Sequence, residues 1–105
     1  MQEEMTCLAR NIIELDFEWY VETIGERVAY DMTYGNLPED IALNFVSLSL
    51  ADYVKLDSRK FYDYDTIDDM YWAVDWMELT KQLFDKYMGV KNEKPSDTIP
   101  SINRR

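Results

Sequence analysis

Glu14, Glu18, Glu22 and Glu26 recur every fourth residue in the stretch NIIELDFEWYVETIGE, and no Lys or Arg stands between Arg10 and Arg27 to offset them. On a helix such residues stack on neighbouring turns, where each like-charged pair costs roughly 0.2–0.5 kcal/mol. On a strand, Glu14, Asp16, Glu18 and Glu22 line one face and Ile13, Leu15, Phe17, Trp19 and Val21 the other. Glu14, Glu18 and Glu22 share a face in both conformations, so an anionic strip is expected whichever forms. A second set, Asp68, Asp75, Glu78 and Asp85, recurs at intervals of seven, three and seven, which keeps it within about 100° on a helical wheel. Closely spaced carboxylates can transfer protons, hold a cation or attract a basic surface.

Proton transfer needs a carboxyl pair in a cleft, with polar groups to position what it acts on. With 21 Asp and Glu in 105 residues, adjacent pairs arise by chance. No constellation of Ser, Cys, Lys or amide accompanies any of them. No catalytic residue is assigned, and the chain is read as non-enzymatic. For cation binding, Asp63 and Asp65 begin like a calcium loop, but Ile67 stands at position 5, Asp68 replaces the glycine of position 6, and Val74 replaces the glutamate of position 12. The chain has no histidine, which removes the usual zinc sites, and its single Cys7 cannot form an intramolecular disulfide. Cys7 is expected as a small packing residue. Neither a metal nor any other cofactor is assigned.

Attraction to a basic surface remains. The net charge is 11 − 21 = −10; residues 90–105 hold Lys91, Lys94, Arg104 and Arg105 against Glu93 and Asp97, so the first 89 residues carry −12. A net charge of magnitude about 2–8 already serves solubility, and this acidity exceeds it while crowding like charges. The field repels nucleic acid and anionic membrane, and it attracts cationic proteins. Direct nucleic-acid binding is rejected because no basic patch exists. At 14% aromatic, the chain is too rich in Tyr, Phe and Trp for a disordered acidic tail, and its length suits one domain. MQEEMTCLAR has no secretory pattern, and no apolar run approaches ~18 residues. A cytoplasmic protein is expected, in the host's cytoplasm if phage-encoded.

Residues 2–12 read as a short helix with Met5, Leu8, Ala9 and Ile12 on one side. Over residues 12–34, Ile13, Phe17, Tyr20, Val21, Ile24, Val28 and Met32 share a helical face; the alternative is a β-hairpin turning at Gly25. In Tyr34-Gly35-Asn36-Leu37-Pro38, Gly35 suits a helix C-terminus and Asn36 an N-cap, with Glu39 completing a capping box and Pro38 in the first turn. The helix that follows, residues 37–56, should bury Ile41, Phe45, Leu48, Ala51 and Val54, widened by Val46, Leu50 and Tyr53. Nearly uncharged, it belongs in the middle of a bundle. Residues 57–65 read as a loop or a short edge strand over 60–64. Thr66 and Asp69 open a last helix that runs to Met88 and closes at Gly89. It carries two apolar stripes: Ile67, Met70, Val74, Met77, Phe84 and Met88, and Trp72, Trp76, Leu79, Leu83 and Tyr87. The second is more than one core needs.

The expectation is a mainly α fold, a small bundle of three or four helices, with residues 1–89 as one acidic domain and 90–105 as a mobile tail. The alternative is an α/β domain with the hairpin in residues 12–34. In size, acidity and aromatic content the chain resembles the DNA-mimicking anti-defence proteins of phages and mobile elements, of anti-restriction or anti-CRISPR type, without a shared motif. That character implies an inhibitor occupying the nucleic-acid surface of a basic target protein. Glu14, Glu18, Glu22, Asp68, Asp75 and Glu78 would supply charge, and Trp19, Tyr64 and Trp72 would be the aromatic anchors. One helical strip advances ~6 Å per carboxylate against one phosphate per ~3.4 Å of each DNA strand, so mimicry requires two strips side by side. The alternative function is an assembly module that forms homodimers or larger oligomers through the apolar face of the last helix.

Overall fold

Five α-helices and no strand make up residues 2–97, the part of the chain described by the computed structural model, with side chains through Lys91. They are α1 (Gln2–Leu15), α2 (Phe17–Thr33), α3 (Glu39–Ser58), α4 (Tyr64–Ala73) and α5 (Trp76–Asp97). The mainly α expectation holds, and the hairpin in residues 12–34 and the edge strand over 60–64 do not form. The first two helices divide at Asp16 and not at residue 12, and a break at Val74 splits the expected last helix and raises the count to five; neither break involves Gly or Pro.

At the first break Asp16 leaves helical geometry (φ −145°, ψ 57°). Its amide donates to the Ile13 carbonyl at 3.2 Å, and its own carbonyl accepts from the Tyr20 amide. The chain thereby redirects between α1 and α2, and each buries its own apolar face: Ala9, Ile12 and Ile13 on α1, Tyr20, Val21, Ile24 and Val28 on α2. At the second, Val74 turns extended (ψ 141°). The Asp75 carboxylate accepts from the Glu78 amide at 3.2 Å and restarts the helix. The Trp76 indole donates to the Tyr71 carbonyl at 2.9 Å, tying the two segments together across the break.

Three helix ends differ from the sequence expectation. Asn36 takes a left-handed conformation (φ 56°) and is not the N-cap of α3; Pro38 holds that position without a side-chain bond. The cap of α4 is Asp63, whose carboxylate accepts from the Thr66 amide at 2.9 Å, so Thr66 receives the cap that it was expected to provide. Finally, α5 continues through Gly89 to Asp97. Of the expected tail, residues 98–105 lie outside the described residues.

The largest packing interface is between α2 and α5, while α3 touches all four other helices and α4 packs only on α1 and α3. Gly25 makes the α2–α5 approach feasible: a Cβ there would collide with Cβ and Cγ of Tyr87, so the ring lies directly on the α2 backbone. At the centre, α3 turns Ala42, Leu43, Val46, Ser47, Leu50, Ala51, Val54 and Ser58 inward. This overturns the expected stripe, since Ile41, Phe45 and Leu48 are exposed. The reason is steric. A helix touching four neighbours needs short side chains at the contacts, which Ala42, Ser47, Ala51 and Ser58 provide. The Ser47, Ser58 and Thr80 hydroxyls donate to the Asn44, Lys55 and Trp76 carbonyls of their own helices, which removes the cost of burying them. Tyr20, fully buried, donates its hydroxyl to the Asp57 carboxylate at the end of α3. Burial first, and then this bond to a carboxylate, hold the Tyr20 hydroxyl well above the usual tyrosine range. Cys7 is exposed and not packed.

Candidate functional site

The four-residue Glu ladder survives in part. Glu14 ends α1 on one side of the Asp16 break, while Glu18, Glu22 and Glu26 follow one another up α2, all exposed. They are not an isolated anionic strip. Glu18, Glu22 and Glu26 line a groove of about 330 Å³ whose other wall, on α5, includes Lys86 and Lys91, and Glu14 shares an adjoining hollow with Arg10 and Lys86. None of these pairs closes to an ion pair, but besides Arg10, one turn before Glu14, the ladder faces two cations of α5 that its own stretch lacks. Trp19, beside it, is partly covered, edge-on to Tyr20 and Tyr53 with ring centres 5.0 and 5.1 Å apart.

A different surface is more purely acidic. Between Lys60 and Lys81 the chain carries Asp63, Asp65, Asp68, Asp69, Asp75 and Glu78 and no basic residue. All lie on α4 or at the start of α5, exposed except for half-buried Asp68. Asp63 and Asp75 serve as caps, placed where the positive ends of α4 and α5 favour negative charge. The hydrogen bonds from Thr66 hold the Asp63 carboxyl below the usual carboxylate range. Tyr64 and Trp72 stand out of this surface, 76% and 77% exposed. Lys55 lies against α4, with its ammonium 4.6 Å from the Tyr71 ring centre.

Cations elsewhere likewise meet aromatic rings. Arg27 donates to the Tyr53 hydroxyl at 3.1 Å, and Lys91 lies 5.6 Å from the Tyr87 ring centre. Among the described residues the one ion pair is Lys81–Asp85, at 3.4 Å. Leaving out Glu93 and Asp97, 21 − 2 = 19 carboxylates have described side chains, and a single one of them is salt-bridged.

Of the expected binding residues, the structure groups Glu14, Glu18, Glu22 and Trp19 along α1 and α2, and Tyr64, Asp68, Trp72, Asp75 and Glu78 along α4 and the start of α5. α2 and α4 share no packing contact among the described residues, so Glu18, Glu22 and Trp19 do not adjoin Tyr64, Asp68 and Trp72, and the Val74–Asp75 break divides Asp68 from Asp75, Glu78 and Asp85. The second apolar stripe is mostly spent. Leu79, Leu83 and Tyr87 are core residues and Trp76 is half-buried, leaving Trp72 outside. Sequence spacing had no means of revealing Lys86 and Lys91 beside the ladder. Among the described residues no three His, Cys, Asp or Glu side chains converge on a metal-sized site, and no helix is long and apolar enough to cross a membrane. Compared with protein-family models, curated proteins and solved structures, the chain matches none of them.

Proposed function

We propose that this chain is a non-enzymatic inhibitor that docks the nucleic-acid-binding surface of a basic partner protein, with the α4 rim as its contact face. The observation that carries this reading is the near absence of internal pairing: nineteen described carboxylates form one ion pair. Their field therefore projects outward, where it steers a cationic partner into encounter. Asp65, Asp68 and Asp69 supply charge on α4, Asp75 and Glu78 extend it, and Tyr64 and Trp72 are rigid anchors of the type that dominates interface energy. Glu14, Glu18 and Glu22 play the lesser part, because Arg10 and Lys86 already screen them. Because α2 and α4 do not adjoin, the mimicry is of phosphate charge along one rim and not of both strands of a duplex.

The test is capture of partners from native host lysate, followed by competition. A true target is a basic nucleic-acid-binding protein released both by moderate salt and by duplex DNA or RNA. Reversing Asp65, Asp68 and Asp69 to Lys abolishes capture, whereas reversing Glu14, Glu18 and Glu22 weakens it less. A partner that nucleic acid does not displace, or that tolerates the α4 reversal, would overturn the reading.

A further inference from the structure

Trp72 stands among carboxylates with its ring bare. On the helical wheel of α4, Asp65, Asp68, Asp69 and Trp72 fall within about 100° of one another, on the side opposite the buried Ile67 and Met70. Asp68 and Asp69 are the i−4 and i−3 neighbours of Trp72, one turn away, and the exposed Tyr64 stands at the edge of the same face. Among the described residues no cation pairs with these carboxylates, and Lys55, which lies against α4, is engaged by the Tyr71 ring.

Two properties of this face narrow what it imitates. The first is density. Asp65, Asp68 and Asp69 lie over about 6 Å of helix axis, a mean interval of about 3 Å, whereas the glutamates of α2 advance about 6 Å each. A nucleic-acid strand carries one phosphate per ~3.4 Å, so the α4 row alone has the charge density of one strand. The second is the ring. In a duplex the base faces are covered by stacking and only their edges reach the grooves, so a duplex-binding surface offers a bare indole no counterpart. A single strand bares its base faces, and proteins that hold it combine a cationic groove with aromatic side chains on which the bases stack. Carboxylates within one turn of an exposed flat ring reproduce that pairing of charge with a π-face.

We propose that the α4 face imitates a single strand, and that the partner of the inhibitor, on whose inhibitory role this inference rests, is a protein that binds single-stranded nucleic acid. Asp65, Asp68 and Asp69 take the place of phosphates on its Lys and Arg, and the Trp72 indole stacks on one of its aromatic platforms as a base does. Tyr64, about 12 Å away along the axis, is a second ring. Stacking demands a flat ring, and burial in an apolar pocket does not, which separates this role from that of a general anchor.

The test immobilises the full chain, loads it with native host lysate, and titrates the retained protein off with oligo(dT), oligo(U) or a duplex of the same length. The expected result is release by a single strand at a concentration at least about tenfold below that of the duplex, and the more effective of the two single strands identifies the natural ligand as DNA or RNA. Trp72→Ala and Trp72→Leu each weaken retention at least about fivefold, the lower end of base–aromatic stacking, and Trp72→Phe weakens it less. Helical circular dichroism stays unchanged in all three, since the position is exposed. Release by the duplex at an equal or lower concentration, or retention by Trp72→Leu equal to that by Trp72→Phe, overturns the single-strand assignment and leaves the inhibitory role standing. Retention of no protein, or of one that none of the three competitors releases, overturns both.

Discussion

Both α2 and α4 present exposed carboxylates to solvent, but they are held in the molecule by different means. The first is clamped: its glycine admits the Tyr87 ring against the backbone, its tyrosine reaches across the core to Asp57, and its glutamates look across a groove at two lysines of α5. The second hangs on α1 and α3 by Ile67 and Met70, is started by one aspartate cap, and has no basic residue of its own. Equal charge on the page is therefore unequal charge in space. Carboxylates on the clamped helix face lysines across the groove, and those on the peripheral helix form no ion pair among the described residues.

The sharpest way to break this contrast is at Gly25. Alanine gains about 1 kcal/mol over glycine in a helix interior, but here the new methyl meets Cβ and Cγ of Tyr87, atoms that cannot swing aside. Overpacking costs about 1–3 kcal/mol, occasionally more, and with contacts this close the upper end applies, so Gly25→Ala should lose up to about 2 kcal/mol net in urea unfolding. Gly89→Ala is the control: nothing lies within 4 Å of its Cβ position, and that variant should gain stability. If both alanines stabilise, α2 is not clamped as described.

Next in size is the Tyr20–Asp57 bond. Tyr20→Phe removes a hydrogen bond to a charged acceptor, a class worth about 1.5–3 kcal/mol, and half-buried Asp57 recovers part of this from water, so a loss near the low end is expected. The pH dependence has a definite sign. The folded state holds the Tyr20 hydroxyl above its unfolded value of 10.0, so the stabilisation is complete below pH 10 and is lost progressively as pH rises beyond it. Wild type should therefore lose stability above pH 10 more steeply than Tyr20→Phe, compared by unfolding at mildly and strongly alkaline pH. Equal slopes would mean that the buried hydroxyl ionises freely. On α4, by contrast, Trp72→Ala should stay within about 0.5 kcal/mol of wild type, as exposed substitutions do.

Helix as the dominant state was legible from periodicity, and so was the buried face of α2, because Phe17, Tyr20, Val21, Ile24, Val28 and Met32 are large residues in one row, and each is buried or half-buried, as is Ile13 before the break. The face of α3 was not. Ile41, Phe45 and Leu48 outweigh Ala42, Ser47 and Ala51 in hydrophobicity, but close approach by four neighbours selects for small size, which a hydrophobic pattern undervalues. The second break had a signal: Asp75-x-x-Glu78 is a capping residue followed by a glutamate at N3, and here, unlike at Asn36 and Thr66, the residue in the cap position does accept the bond. It was hidden because Val74, Met77 and Phe84 continue an apolar period across it. The break at Asp16 has no such pattern. Within the site, the carboxylates were legible as types and spacings, whereas the placement of Lys86 and Lys91 across the groove from them, some sixty residues away in the chain, depends on tertiary packing alone.

The gentlest perturbation tests the peripheral half of the contrast. Asp63 accepts from the Thr66 amide at the start of α4, and hydrogen bonding from the Thr66 side chain first, and then from its amide, holds the carboxyl below the ordinary carboxylate range. A folded-state value lowered in this way stabilises above the unfolded value and loses its effect as pH falls through the lowered one. Asp63→Ala should therefore expose the Thr66 amide to hydrogen exchange and fray the first turn of α4 at neutral pH. Wild type should show the same fraying only under acid conditions, after its own carboxyl has taken up a proton. Amides from Tyr20 to Val28 in α2 should keep their protection in both cases, because nothing in their packing passes through Asp63. If those amides open together with Thr66, α4 unfolds as one unit with the clamped helix, and the rim is not free to adapt to a partner.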